Sequence, residues 1–329
     1  MIKVRICALF VGTLLSAWAP FAADAQPVSI KLGHVAPTDE PYHQAAEKFA
    51  QLVKQYTDGA VEVQIFPNSL LGGQRELLEG LQLNSVDATL TTAAVLANFL
   101  PRTQVIELPF MFRDRAHVYK VVDGPLAQEI YAGDEAKKMK VIDTWENGFR
   151  NITNDVRPIE RPDDMKGIKI RVMENKMYID MFKALGANPT PMARGEVFTA
   201  LQTKTIDAQE NPLGQIATSR FYEVQKYLTL SRHTYSPEAL VFSLATWNRL
   251  SPQHREAIRR ASAEAKAYNR ELSAKMEDEY LAKLRANGMT VTTPSPEEIA
   301  AFQEKMTPVW DTYADKIGKD LIRKIKETR

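Results

Sequence analysis

The sequence predicts an α/β protein of two lobes. Each lobe is a mixed or parallel sheet flanked by helices, and one long helix crosses both. Three observations predict this. Short alternating apolar segments are interleaved with segments of helical period, the signature of a sheet with helices on its faces. The same order of elements returns in the second half, where KTIDAQE matches the NSVDATL of the first. Residues 251–287 then read as one uninterrupted helix.

Residues 28–32 (VSIKL) alternate and read as the first strand. Residues 43–56 place Ala46, Phe49, Ala50 and Val53 at helical spacing. Residues 61–66 (VEVQIF) form the next strand, 75–83 a helix entered through Leu71-Gly72-Gly73, and 86–90 a short strand. The second set begins near Val141. It has a strand at 169–172, a helix at 176–185 closed by Gly186, a helix at 196–202 and a strand at 206–208. Asp87 and Asp207 hold equivalent places in the two sets and read as turn residues, not as a catalytic carboxylate pair. The helix from Ser251 has Pro252 at its first position and none after it. It reads as a strut, since it lacks the sustained apolar heptads of a coiled coil. The TPSPE stretch at 293–297 breaks the chain, and a last helix starts at the Ser295 cap. The lobes are expected over residues 26–148 plus about 237–275, and 149–236 plus about 276–329, joined by several crossing segments that would act as a hinge.

The first residues read as an export signal. Lys3 and Arg5 precede an apolar run at residues 6–18, and Ala23-Asp24-Ala25 predicts a cut after Ala25. A membrane anchor or a buried segment is the alternative. Removing Lys3, Arg5 and Asp24 takes the formal net charge from +1 to zero, which argues against nucleic acid as a partner. Cys7 is the only cysteine, so the exported form would have none. Disulfides, thiolate catalysis and cysteine-zinc sites are then excluded. No later stretch is apolar and long enough to span a membrane.

Function is carried by Arg150, in WENGFR, and Arg171, in IKIRV. An arginine ending a short strand of an α/β sheet points into the ligand crevice. Its guanidinium grips a carboxylate through two parallel hydrogen bonds. A structural salt bridge is the other reading of Arg171. Asn211 precedes Pro212, which holds it extended at a strand end, although a turn asparagine fits the same pair. Glu210 would either orient an arginine or form a surface pair. His34 ends the first strand and could bond a ligand hydroxyl or serve the structure. His43, His117, His233 and His254 read as surface residues without metal-ligand spacing.

The blocks NGFRNITN, DMKGIKIRV, FKALGANPTPM, GEVFTALQT, DAQENPL and FYEVQKYL resemble, in order, the substrate-binding proteins of tripartite ATP-independent periplasmic (TRAP) transporters of the dicarboxylate type. LGHVAPTDEPYHQAAEKFA and FPNSLLGGQRELLEGL support the resemblance. It implies a two-lobed periplasmic-binding-protein fold that closes over an organic anion. It implies that Arg171 binds the ligand carboxylate, that Arg150 helps and that Asn211 contacts the same group. More loosely, it puts His34, Gln74, Thr91 and Thr92 on the first-lobe face. Where the family often has an aromatic residue this chain has Arg194, which would neutralise a second acid, bond a hydroxyl-rich tail or turn outward. Trp145 would pack on the ligand or sit in the core. The implied partners are an organic acid and a membrane permease of small and large subunits, with no cofactor and no metal. The ligand is expected to be a uronate or aldonate, then a four-carbon dicarboxylate or a small hydroxy- or keto-acid. A periplasmic sensor would share the site. An enzyme lacks support, because there is no Gly-x-Ser-x-Gly elbow, phosphate loop or HExxH, although a hydrolase with two unmarked carboxylates leaves no motif. A monomer is expected.

Overall fold

The computed structural model describes residues 27–329, so the export segment and its cut lie outside the described residues. The first set of elements is β1 (Val28–Gly33), α1 (Pro41–Tyr56), β2 (Val61–Phe66), α2 (Gln74–Leu83), β3 (Ala88–Thr92) and α3 (Ala93–Leu96). A 3₁₀ turn (Pro101–Glu107), α4 (Arg115–Val122) and α5 (Leu126–Ile130) lead to β4 (Met139–Asn154). The second set is β5 (Lys169–Val172), α6 (Lys176–Ala184), β6 (Asn188–Pro191), α7 (Val197–Gln202), β7 (Ala208–Pro212), α8 (Leu213–Thr218) and β8 (Tyr227–Thr229). The chain ends with β9 (Tyr235–Ser243), α9 (Leu244–Arg249), α10 (Pro252–Ala286), β10 (Thr290–Thr292), α11 (Pro296–Ile317) and α12 (Lys319–Glu327).

The strands run in the order β2-β1-β3-β9-β4-β7-β5-β6, with β8 paired to β4 and β10 to β8. β1 pairs in parallel with β2 and β3, and β5 with β6 and β7. The two halves expected from the sequence are joined through β4, a strand of 16 residues. Its first part pairs antiparallel with β9, and residues 150–154 pair antiparallel with β7. β9 also pairs with β3, so it closes the first half beside the crossing strand. The repeat read from the sequence is visible in the aspartates. Asp87 Oδ2 accepts from the Lys31 amide at 2.9 Å, and Asp207 Oδ2 from the Lys169 amide at 3.0 Å. Each ties one strand to the next.

α10 is 35 residues long and capped by Ser251, whose hydroxyl accepts from the His254 amide. It packs on α1, β4 and α8, as the strut reading expects. Trp145 Nε1 donates to Ser262 of this helix at 3.1 Å, and the Glu146 amide donates to Asn269 Oδ1 at 2.6 Å. The Ser295 cap forms as a full capping box with Glu298. α11 packs on α6, whereas α12 docks on α5 through Lys324–Glu129 at 2.9 Å.

Candidate functional site

The ends of β3, β5 and β7 converge on one small cavity. Arg171 comes from β5, Asn211 from β7, Thr92 from β3, and Gln74 opens α2. Arg194, Gln215 and Glu174 also line it, with Val95 and Met173. Arg171 is 4% exposed. Its Nε and Nη2 donate to the Met192 carbonyl at 2.9 and 2.6 Å, and it has no ion-pair partner among the described residues. Burial, reinforced by the like charges of Arg150 and Arg194 and opposed by Glu210 and Glu174, pushes it down to about 10. Arg171 is therefore a buried cation that a ligand carboxylate would relieve.

Arg150 lines the same cavity but is held from behind. Its Nε donates to Glu210 Oε2, while Nη2 donates to Glu210 Oε1 and Asn211 Oδ1, both at 2.9 Å. Glu210 is fully buried. Burial would raise its carboxyl, but Arg150 and a hydrogen bond from His233 outweigh burial and hold it below the usual range. Of the two readings left open, Glu210 takes the first and orients an arginine. Asn211 is turned toward Arg150 and donates its amide to Gln209 Oε1.

Arg194 reaches across the cleft. Nη1 donates to the Val35 carbonyl at 2.7 Å and Nη2 to Ser219 at 2.8 Å, with Glu40 at 3.7 Å. Gln74 Oε1 accepts from the Thr92 hydroxyl at 2.7 Å and from Thr91 at 3.4 Å, so Thr91 stands behind Gln74.

The profile of the bacterial extracellular solute-binding protein family 7 (DctP) matches residues 32–316. The chain belongs to that family. The sugar-acid-binding protein of Advenella mimigardefordensis, solved with galactonate, is 38% identical, with 93% of this chain and 98% of that one covered and a TM-score of 0.89. The 2,3-diketo-L-gulonate-binding periplasmic protein of Escherichia coli K12 is 34% identical over 98% of both chains. The C4-dicarboxylate-binding periplasmic protein of Rhodobacter capsulatus is 35% identical over 99% of this chain and 98% of its own length. The protein is thus a TRAP-type periplasmic solute-binding protein and not an enzyme.

Two expected contacts of this solute-binding protein are used elsewhere. Both ring nitrogens of His34 are engaged, Nδ1 by the Ala36 amide at 3.1 Å and Nε2 by His43 at 3.0 Å. Burial, with His43 and Arg194 nearby, pushes His34 down to about 3 and keeps it neutral. Trp145 packs edge-on against Phe49 and bonds Ser262, so it is the core tryptophan. The surface reading of His43, His117 and His233 is corrected, because all three are buried. His117 meets the Ile325 carbonyl of α12 at 2.8 Å, and His233 bridges Ser231 and Glu210. Ile325 and Glu210 are distant in sequence from these histidines, so no local pattern marks them. Sequence reasoning also missed Gln215, which carries no motif of its own. Among the described residues no group of three His, Cys, Asp or Glu is placed to hold a metal, and no helix is long and apolar enough to cross a membrane.

Proposed function

We propose that this protein captures a sugar acid by its carboxylate and delivers it to the small and large membrane subunits of a TRAP permease. Arg171 carries the reading. It is a guanidinium buried in a cavity, pressed by two like charges and without an ion-pair partner among the described residues. Its free edge takes the carboxylate, and the Asn211 amide bonds the same group. Arg150, clamped by Glu210, adds field more than contact. Arg194, Gln74 and Thr92 face the ligand body. The lobes divide at residues 26–148 plus about 237–275 and 149–236 plus about 276–329, with α12 riding on the first, and they hinge in the strands between the half-sheets. Export with a cut after Ala25 delivers a monomer to the periplasm.

The galactonate- and diketogulonate-binding relatives support a sugar acid. Arg194 in the same cavity favours the second reading, a four-carbon dicarboxylate, as does the Rhodobacter relative. A thermal-shift screen of organic acids tests both. A ligand at 100 times its dissociation constant adds about 2.7 kcal/mol. Calorimetry on the best acid should show binding abolished in Arg171→Ala and weakened at least about tenfold in Arg171→Lys, which cannot make the planar double bond. Wild-type affinity in the lysine variant would rule out the clamp.

A further inference from the structure

His34 and His43 are joined ring to ring, and the bonds around them fix which nitrogens carry protons. The Ala36 amide donates to His34 Nδ1 at 3.1 Å, so that nitrogen accepts and the His34 proton sits on Nε2. Nε2 lies 3.0 Å from His43 Nδ1, which accepts in turn. The His43 proton is then on its own Nε2, 3.4 Å from Glu47 Oε1. Neither neutral ring keeps a free lone pair. One further proton must land on an Nδ1 and displace the bond which that atom accepts. Both rings are buried, but the Glu47 side chain is 58% exposed, so the outer end of the chain opens to solvent. The turn that the pair holds faces the second half of the protein. The Val35 carbonyl accepts from Arg194 at 2.7 Å. The His34 and Ala36 carbonyls accept from the Ser69 and Asn68 amides at 3.1 and 2.9 Å. Asn68 and Ser69 have φ of 55 and 59, a backbone that L residues seldom adopt without such support.

We infer that His34 and His43 form an acid-sensitive lock on the closed protein: a proton entering the pair loosens the 34–36 turn, frees Arg194 from Val35 and lets the lobes open with loss of the bound acid. The inference rests on the hinge and the captured acid proposed above, and adds a control on release. The lock is whole while both rings are neutral and is lost as pH falls. Other groups face the pair. Tyr42 packs edge-on against His34 at 5.5 Å, and the charge of Arg194 acts on it from across the cleft. Burial keeps the Tyr42 phenol protonated, and a guanidinium does not titrate. Glu47 meets the outer nitrogen of His43. Glu40, 3.7 Å from Arg194, titrates as well, because burial raises its carboxyl against the pull of that arginine. Its protonation would weaken the same arginine's hold, so the test must separate the two acids from the two rings.

Hydrogen exchange by NMR on the purified, ligand-free protein reads the lock, and calorimetry with D-galactonate as probe reads its effect on release. Between about pH 7.5 and about pH 5, protection of the Ala36, Asn68 and Ser69 amides, corrected for intrinsic exchange, should fall about tenfold, the scale of one lost hydrogen bond. Galactonate affinity should fall by about the same factor. In His43→Gln both changes should shrink to within about threefold, because the glutamine oxygen accepts from His34 and takes up no proton, while Glu40 and Glu47 titrate as before. If His43→Gln does not fold, His34→Asn takes its place, since an asparagine oxygen accepts the Ala36 amide in an Asx turn. Protection that holds in acid, or that falls as far in the variant, would overturn the lock. So would protection that falls while galactonate affinity stays. Wild-type protein that binds no galactonate at neutral pH would overturn the sugar-acid reading instead, and the exchange data would judge the lock alone.

Discussion

Glu210 shows how one residue can serve a site without touching ligand. It neutralises Arg150, leaves Arg171 without an ion-pair partner, and is itself braced by His233. Removing one partner of such a buried pair strands the other charge. Glu210→Gln should therefore lose about 3–5 kcal/mol of stability in denaturant unfolding. Two other buried acids set a pH dependence. Burial raises Glu107 to about 7, against Arg150, and Glu238 to about 8, against Arg194. A carboxyl with a raised folded pKa stabilises below its unfolded value and loses that contribution as pH rises through the folded one. Buried, neutral His34, His117 and His233 act oppositely and lose stability as pH falls below about 6.5. Above that value the acids act alone. Ligand-free stability should decline between about pH 6.5 and 8 by up to about 1 kcal/mol per unit, and Glu238→Gln should flatten the decline. A flat wild-type profile would refute this. At this scale Arg171 and Asn211 were legible because strand ends in an α/β sheet aim at the crevice. Trp145 and His34 were not, because their partners are set by packing. Trp145 bonds Ser262, 117 residues away. Glu238 was hidden by its neighbour Pro237, which reads as a break in a strand.

At the scale of elements, that proline and Gly148 mark where the sheet changes partners. β4 shifts register between Glu146 and Gly148, opposite Pro237 and Ser236 of β9. A bulge relieves the strand of pairing a residue with no amide to donate, so Pro237 is tolerated in the interior of a buried strand. Gly148 has φ +133, and a Cβ there would stand 3.3 Å from Pro212 Cβ. Gly148→Ala should therefore cost about 1–3 kcal/mol, read by thermal unfolding, while surface substitutions on α10 stay within a few tenths. An alanine variant as stable as wild type would mean the bulge tolerates L side chains. Most helices and the first strands were readable from period and caps. β9 and the length of β4 were not, because burial on both faces of β9 and of the later part of β4 erases the alternation that marks a half-buried strand.

At the scale of the molecule, the cavity is closed by hydrogen bonds from the first half of the chain to the second. Asn98 donates to the Glu174 carbonyl at 2.8 Å, and Gln104 and the Ala94 carbonyl meet Asn175 at 3.1 and 2.6 Å. Arg194 meets the Val35 carbonyl, and Thr218 donates to Glu40 at 2.6 Å. These contacts involve protein groups alone, so with the hinge proposed above they would favour the closed form whatever acid is held. A binding protein whose competent form is fractionally populated loses affinity by that fraction. Removing one seam bond should therefore weaken every ligand alike. Asn98→Ala tests this, because Asn98 is exposed and outside the cavity wall. The lost bond is worth about 0.5–1.5 kcal/mol, so affinity for any bound acid should fall about two- to tenfold. In small-angle scattering the ligand-free variant should be more extended than wild type, and the saturated forms should coincide. A loss confined to one acid, with unchanged ligand-free dimensions, would place Asn98 in recognition and deny the seam a part in closure.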